Sequence, residues 1–309
     1  MENNLVVQSN DLVLATYTMS TKEKQLLLSC ISQIDSRENA PNITKQTKFT
    51  VSMEEMARVF YKDTNRQNIY RDLEQASSHL YERDVLIVLE GNKTLRTRFV
   101  SGVLYDPDGE QITMTFAEDI LPYLTQLKAN FTKYKLIEIS ELSSIHSIRL
   151  YELAVCWIGQ YQYSKTMTLD DFRYVMGVEG KYKQFSSLKD RVIETAIGEI
   201  NASTNYFISV DYHKRGKGKA IKELTLKFHK KILNNLASKD GSLSADTIKA
   251  IVSDPQFILD YNDHPSLSYD GGKDTTAFKR EMINIINREP ESFKKKPLES
   301  YLPKIKQGN

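Results

Sequence analysis

The fold class predicted by this 309-residue sequence is α+β, and three observations predict it. A block of sequence pattern occurs twice. Each copy runs through helices and strands in one order. A helix in the second copy sets an apolar stripe against a face of short or forked polar side chains. Together they describe two tandem winged-helix domains, each a helix-turn-helix plus a β-hairpin wing, followed by a C-terminal tail.

The elements follow in chain order. STKEKQLLLSCISQI (20–34) has helical periodicity. FTVSMEEMARVF (49–60) is a short extended piece, a hydroxyl residue, two acids and a short helix, and KTMTLDDFRYVM (165–176) repeats that pattern at an offset of 116. Ser52 with Glu55, and Thr168 with Asp171, have capping-box spacing. RQNIYRDLEQASSHL (66–80) is the next helix, and its LEQASSHL matches IETAIGEI (193–200) at an offset of 120. The stretch VLIVLEG and then LRTRFVSGVLYDPDGEQITMTF is β-rich and closes the first copy.

The second copy opens with SIHSIRLYELAVCWIGQ (144–160) and closes with NYFISVDYHKRGKGKAIKELTLKF. Both copies therefore read helix, short strand, helix, helix, strand, turn, strand, with a break near residues 130–145. The expected domains are 1–131, 132–231 and a C-terminal extension over 232–309, partly helical or flexible.

FSSLKDRVIETAIGEIN (185–201) occupies the position of the helix that enters the major groove, led by its N-terminal residues. Leu188, Val192, Ile193, Ala196, Ile197 and Ile200 form its apolar stripe. Ser187, Asp190, Arg191, Glu194, Thr195 and Asn201 form the other face, and Ser187 with Asp190 has the S-x-x-D capping spacing. Arg191 suits a bidentate contact with a guanine edge, and Glu194 suits a cytosine amino group. Ser187 and Thr195 suit bases or phosphates. Lys183 and Lys189 flank the helix start, where the dipole favours phosphate. Lys189 lies on the apolar side of the wheel, so its stem packs while its amine reaches outward.

The wing HKRGKGKAIKE places Lys214, Arg215, Lys217 and Lys219 around a glycine turn, a form suited to a phosphate backbone. In the first copy Arg66, Asn68, Arg71, Arg96 and Arg98 are candidates for phosphates or a flanking base. Its strands VLIVLEG and VSGVLYD are core by default, and an exposed edge there suits pairing with a second chain.

Charge distribution supports an anionic partner. The whole chain carries a net +2, yet residues 181–231 hold twelve Lys and Arg against five Asp and Glu. Residues 62–98 hold seven against six, and 232–309 balance at eleven each. One basic field on a near-neutral chain marks a single anion-facing surface. The second copy is therefore expected to be the main DNA reader.

Other chemistries lack their residues. There is no phosphate-binding G-x-x-x-x-G-K-[ST], no G-x-G-x-x-G, no H-E-x-x-H and no Cys-x-x-Cys. Histidines 79, 146, 213, 229 and 264 are scattered, and Cys30 and Cys156 lie in apolar stretches. His79 reads as a structural histidine on the inner part of its helix. The seventeen tyrosines read as packing rather than as nicking nucleophiles. No catalytic residue, metal or cofactor is expected, and the chain reads as a non-enzyme. No apolar run approaches the ~18 residues of a membrane span, and no signal peptide is visible; a bacterial cytoplasm is expected.

NLVVQSNDLVLATYTMSTKEKQLLLSCISQI, with the later FSSLKDRVIETAIGEINASTNYFISVDYHKRGKGKAIKELTLKF, resembles plasmid replication initiator (Rep) proteins of the iteron-binding, theta-replication type. The resemblance covers residues 5–231. It implies two winged helices joined by a short linker, binding to repeated origin sites, and monomers that start replication. It also implies homodimers through the first domain that repress the protein's own promoter. A host helicase or other replication proteins are expected as further partners. By position the family's reading helix and wing fall on Ser187–Thr195 and Lys214–Lys219. The tail, including SFKKKPLESYLPK, matches no motif and reads as a solvated end, a flexible contact for host proteins being the other reading.

Three further functions stay open at the level of sequence. A winged-helix transcriptional regulator would share the DNA-binding residues, although regulators commonly dimerise one domain rather than duplicate it. A rolling-circle nicking enzyme would need metal-dependent cleavage. An assembly protein with an amyloid-prone first domain rests on VLIVLEG alone.

Overall fold

The computed structural model describes residues 4–301 other than 36, 38, 39, 41, 42, 62–65, 126, 128, 215–219, 232–242, 244, 268–274 and 297. The first copy begins with β1 (Leu5–Ser9), α1 (Asn10–Leu14), β2 (Thr16–Tyr17) and α2 (Thr21–Ile31). Ser20 caps α2 by accepting from the Glu23 amide. β3 (Phe49–Ser52) leads into α3 (Met53–Phe60) and then α4 (Arg66–Tyr81). The Ser52 capping box is complete: Ser52 Oγ accepts from Glu55 N at 3.2 Å, and Glu55 Oε2 accepts from Ser52 N at 3.3 Å.

After α4 the first copy differs from the pattern of one strand, turn and strand. It holds two hairpins, β4 (Asp84–Val88) with β5 (Thr94–Arg98), and β6 (Val100–Asp106) with β7 (Gln111–Phe116). The first joins β2 in a sheet of order β2-β4-β5, and the second joins β3 in a sheet of order β3-β7-β6. The chain changes sheets at Phe99, which is buried edge-on to Tyr17 with ring centroids 5.4 Å apart. A bulge between Val100 and Gly102 then turns β6 away.

The second copy runs β8 (Phe131–Lys135), α5 (Ile145–Gly159), β9 (Ser164–Thr168), α6 (Leu169–Val175), a long helix over 185–203 with α7 (Phe185–Leu188) and α8 (Thr195–Ser203) at its two ends, β10 (Tyr206–Lys214) and β11 (Ile221–Lys230). Its sheet has the order β10-β11-β9, matching β6, β7 and β3. The correspondence reaches single hydroxyls. Thr50 and Thr113 meet across β3 and β7 at 2.8 Å, and Thr166 and Thr225 meet across β9 and β11 at 2.8 Å. Thr168 caps α6, but its partner Asp171 returns a bond to the hydroxyl rather than to the backbone amide.

Both copies belong to one compact unit, Met1–Phe228, with a single apolar core that takes in Leu26, Leu73, Phe116, Leu153, Phe172 and Ile193. β1 leaves the first copy to pair antiparallel with β8, Leu5 opposite Lys135.

Inside this core lies a charged group that helical periodicity treats as surface. Glu152 of α5 is wholly buried, and Lys24 of α2 is 2 % exposed. Lys24 Nζ lies 2.8 Å from Glu152 Oε2. Gln8 Nε2 and the Tyr134 hydroxyl donate to Glu152 Oε1 at 2.8 and 2.7 Å. Lys24 also donates to the Tyr17 hydroxyl at 2.8 Å. Arg149 donates to that hydroxyl at 3.0 Å and to the carbonyls of Ala15 and Val175 at 2.7 and 2.8 Å.

The second unit, His229–Asn309, has its own core. α9 (Ala245–Ile251), α10 (Pro255–Tyr261) and α11 (Thr275–Arg288) pack around Ile251, Phe257, Tyr261, Met282 and Ile285. Asp254 caps α10 and Pro255 opens it. SFKKKPLESY is not a solvated end. Phe293, Leu298 and Tyr301 are buried, the Tyr301 hydroxyl donates to Asp260 at 2.8 Å, and Lys296 pairs with Asp260 at 3.2 Å. Aromatic anchors at 293 and 301, Phe293 stacked on Phe257 and edge-on to Tyr261, and Tyr301 edge-on to both, fold back a segment whose lysine run reads as solvated. Among the described residues no helix is long and apolar enough to cross a membrane.

Burial opposes the charge of Glu152, but Lys24 and Arg149 outweigh it and hold the carboxyl below its ordinary value of 4.5. The unfolded chain therefore binds the extra proton first as pH falls. The stabilisation is complete above the ordinary carboxylate range and is lost as pH drops through the folded value. Glu152→Gln should cost about 3–5 kcal/mol at pH 7, since it strands Lys24, and should flatten the acid side of the stability profile. Urea midpoints between pH 3 and 7 check both; a change below about 1 kcal/mol would contradict the network's role.

Candidate nucleic-acid interface

The helix in the reading position is set by what precedes and underlies it. The turn after α6 contains Gly177 at φ +64°, and a Cβ there would stand 2.1 Å from the Tyr17 carbonyl oxygen. Only glycine allows that close approach. The helix then starts at Phe185 with Gln184 as its N-cap, which makes no side-chain capping bond. The capping box expected of Ser187 and Asp190 is therefore absent. The helix begins two residues earlier, and Ser187 lies half-buried within its first turn.

The apolar stripe is as expected: Leu188, Val192, Ile193, Ala196, Ile197 and Ile200 are all buried. Burial of each large aliphatic side chain contributes roughly 1.5–3 kcal/mol. Glu199 fastens the same helix to α5. Its carboxylate accepts from the Ser143 and Ser144 amides at 3.0 and 3.2 Å and from the Ser143 hydroxyl at 2.6 Å. Burial pushes its pKa up, but these bonds prevail and hold it below the ordinary value. Asn201, counted with the polar face, turns to the sheet instead. Its amide donates to the Ile208 carbonyl at 2.8 Å and accepts from the Ile208 amide at 2.7 Å.

The helix is not uniformly α. After Phe185–Leu188 it widens into a π-turn over Lys189–Glu194 and returns to α-helix over Thr195–Ser203. The Thr195 hydroxyl donates to the Asp190 carbonyl at 2.9 Å. Its proton is thus engaged inside the helix, whereas the sequence pattern offers it to DNA.

Lys183, Asp190, Arg191, Glu194 and Thr195 are exposed. Among the described residues no hydrogen bond or ion pair engages the side chains of Lys183 or Arg191. Glu194 accepts from the Tyr212 hydroxyl of β10 at 2.9 Å. Lys189 is half-buried, with its amine 5.5 Å from the Tyr212 ring centre. Lys214 is exposed at the end of β10; Arg215, Lys217 and Lys219 lie outside the described residues.

In the first copy Asn68 and Arg71 are exposed on α4, and the side chain of Arg66 lies outside the described residues. Arg96 and Arg98 are held within their own hairpin. Arg96 donates to Asp84 at 2.7 Å. Arg98 lies 3.8 Å from Glu82 and 5.6 Å from the Tyr81 ring centre. His79 is not on the inner face of α4. Its side chain is 65 % exposed and stands 3.5 Å from Glu23, which also takes a two-pronged contact from Arg83 at 2.8 and 3.0 Å.

Sequence reasoning missed Tyr212 and Phe185, whose rings meet edge to face at 5.3 Å. The signal was available in the alternation along β10, which turns Tyr206, Ile208, Val210 and Tyr212 inward.

A duplicated helix-turn-helix with a strand pair after each third helix, and an exposed Arg191 unengaged among the described residues, defines a double winged-helix protein of the nucleic-acid-binding class. Residues 5–155 match the model for the initiator replication protein WH1 domain, and residues 168–228 match the initiator Rep protein WH2 domain. The chain belongs to this family of replication initiators. It is 24% identical over 266 residues to a replication initiation protein of Escherichia coli, covering 84% of this chain and 81% of that protein. The crystal structure of the Pi initiator protein in complex with iteron DNA matches with a TM-score of 0.61 at 20% identity, over 74% of this chain and 98% of that one.

Gly177→Ala should cost about 1–3 kcal/mol or more, from the left-handed backbone and the clash with Tyr17. A thermal midpoint equal to that of the unmodified protein would contradict that close approach.

Proposed function

We propose that this chain binds repeated sites at a plasmid origin as double-stranded DNA and starts replication there, and that as a homodimer it represses its own promoter. The observation that carries the reading is a pair of unengaged cations, one on the 185–203 helix and one just before it, among the described residues. Arg191 and Lys183 are exposed without intramolecular partners among the described residues, beside a wing strand that ends in Lys214. The arginines of the first copy's hairpin are already ion-paired. This difference supports a second winged helix that does most of the reading and a first that does less. The Pi initiator, seen with iteron DNA, supports the same class of partner here.

In this reading Arg191 faces a base edge, Lys183 and the wing cations lie along phosphates, and Asn68 and Arg71 add contacts from α4. The first winged helix supplies the dimer. β6 is the edge of its sheet, and Leu104 and Tyr105 on it are 57% and 39% exposed. An unpaired apolar edge is suited to strand addition by a second copy.

The test is binding to tandem origin repeats and to random duplex across a salt series. Preference for the repeats, with one monomer per repeat, is expected; binding only as a dimer to one inverted repeat would indicate a regulator instead. Arg191→Ala should cost about 1–3 kcal/mol on the repeats and relax sequence preference, and an equal loss on random DNA would remove it as a base reader. Lys217→Ala with Lys219→Ala should weaken binding to every sequence and lower the salt slope by about 1 for each phosphate no longer neutralised. An unchanged slope would mean that the wing does not meet phosphate.

A further inference from the structure

The three groups that surround Tyr212 come from positions 185, 189 and 194 of the reading helix: Phe185 edge-on to its ring, Lys189 beside the ring face, and Glu194 on its hydroxyl. Phe185 and Lys189 are four residues apart and share a face of any α-helix. Lys189 and Glu194 are five apart, which places them about 140° apart on an α-helical wheel, at 100° per residue. A regular α-helix would therefore offer Tyr212 one of them and aim the other away. The π-turn over Lys189–Glu194 removes that conflict, because its bonds span five residues. The Thr195 hydroxyl closes the same five-residue span on the Asp190 carbonyl at 2.9 Å. Tyr212 lies two residues before the end of β10, the first strand of the wing.

We propose that the π-turn, closed by Thr195 and keyed by Tyr212, joins the reading helix to the wing as one rigid reading surface, with Thr195 and Tyr212 as positioning residues for sequence-specific binding. The inference rests on the reading helix and wing meeting DNA as proposed above. π-Turns within helices are frequent at functional sites, and this one has a definite task. It turns Glu194 toward the wing strand while Arg191, in the same turn, stays exposed and unengaged among the described residues. Base reading needs Arg191 at a fixed angle to the base edge while the wing cations hold the backbone. Without the joint, helix and wing would still each meet phosphate. Random-sequence binding should therefore survive its loss, and discrimination should not.

The test uses the full-length protein with Tyr212→Phe, Thr195→Val and Thr195→Ser. Tyr212→Phe keeps the ring and removes the bond to Glu194. Thr195→Val keeps the shape and removes the hydroxyl, and Thr195→Ser restores the hydroxyl. In the DNA-free protein, amide hydrogen exchange across 189–195 should quicken in the Phe and Val variants and return in the Ser variant. On duplex DNA the first two should bind tandem origin repeats about tenfold more weakly, with random duplex nearly unchanged, and Thr195→Ser should recover repeat binding. Because the exchange measurement contains no DNA, it separates the joint from any direct contact of either hydroxyl with DNA.

Unchanged exchange in both variants would overturn the joint. Equal losses on repeats and random duplex would reduce it to a structural role, and so would a Ser variant as poor as Val. Repeat preference in the unmodified protein that the variants leave unmoved would overturn this inference alone. An unmodified protein with no preference for repeats would overturn the proposed function together with this role in specificity.

Discussion

The carboxylate of Glu152 is the point on which the first unit depends. A fully buried charge is tolerable only when its partners replace water, and here they come from four places in the chain. Gln8 arrives from β1, Tyr17 and Lys24 from β2 and α2, and Tyr134 from β8. Arg149, one turn before Glu152 on α5, extends the set to the carbonyls of Ala15 and Val175. Apolar packing alone would allow the two winged helices many relative placements, because hydrophobic contact is non-directional. Hydrogen bonds to one carboxylate are directional, and they select one placement.

That placement governs the interface. Val175 ends α6, and its carbonyl is held by Arg149; two residues on, Gly177 lets the turn sit against Tyr17, whose hydroxyl belongs to the same network. The turn delivers the chain to Phe185, and Glu199 ties the helix back to the start of α5. The helix that begins at Phe185 is thus fixed before its entry and beyond its middle by Arg149, Gly177 and Glu199. On its outward side Arg191 is exposed and unpaired among the described residues.

The internal repeat shows how far one scaffold can diverge. Both copies keep a strand that ends in a hydroxyl cap, and a three-stranded sheet with the same cross-strand threonine pair. The first copy adds the β4–β5 hairpin and commits its arginines to Asp84 and Glu82. The second keeps Arg191 and Lys183 unpaired among the described residues. Similar folds therefore present different electrostatics, and function follows the residues rather than the fold.

The sequence by itself determined what depends on local chemistry and period. The repeated order of elements as far as the third helix of each copy, the Ser52 capping box, the buried stripe from Leu188 to Ile200 and the exposure of Arg191 all follow from spacing along the chain. The tertiary structure decided what depends on distant partners. A wheel at a constant 100° per residue cannot register a π-turn, so Thr195 and Glu194 read as free when their bonds run to Asp190 and Tyr212. Lys24 and Glu152 sit on separate helices far apart in the chain, so no local spacing pairs them. The aromatic anchors of the closing segment became visible only once Phe257 and Tyr261 were placed to receive them. Periodicity records which side of an element meets the core, whereas a hydrogen bond or an ion pair is settled by where the other end of the chain comes to rest.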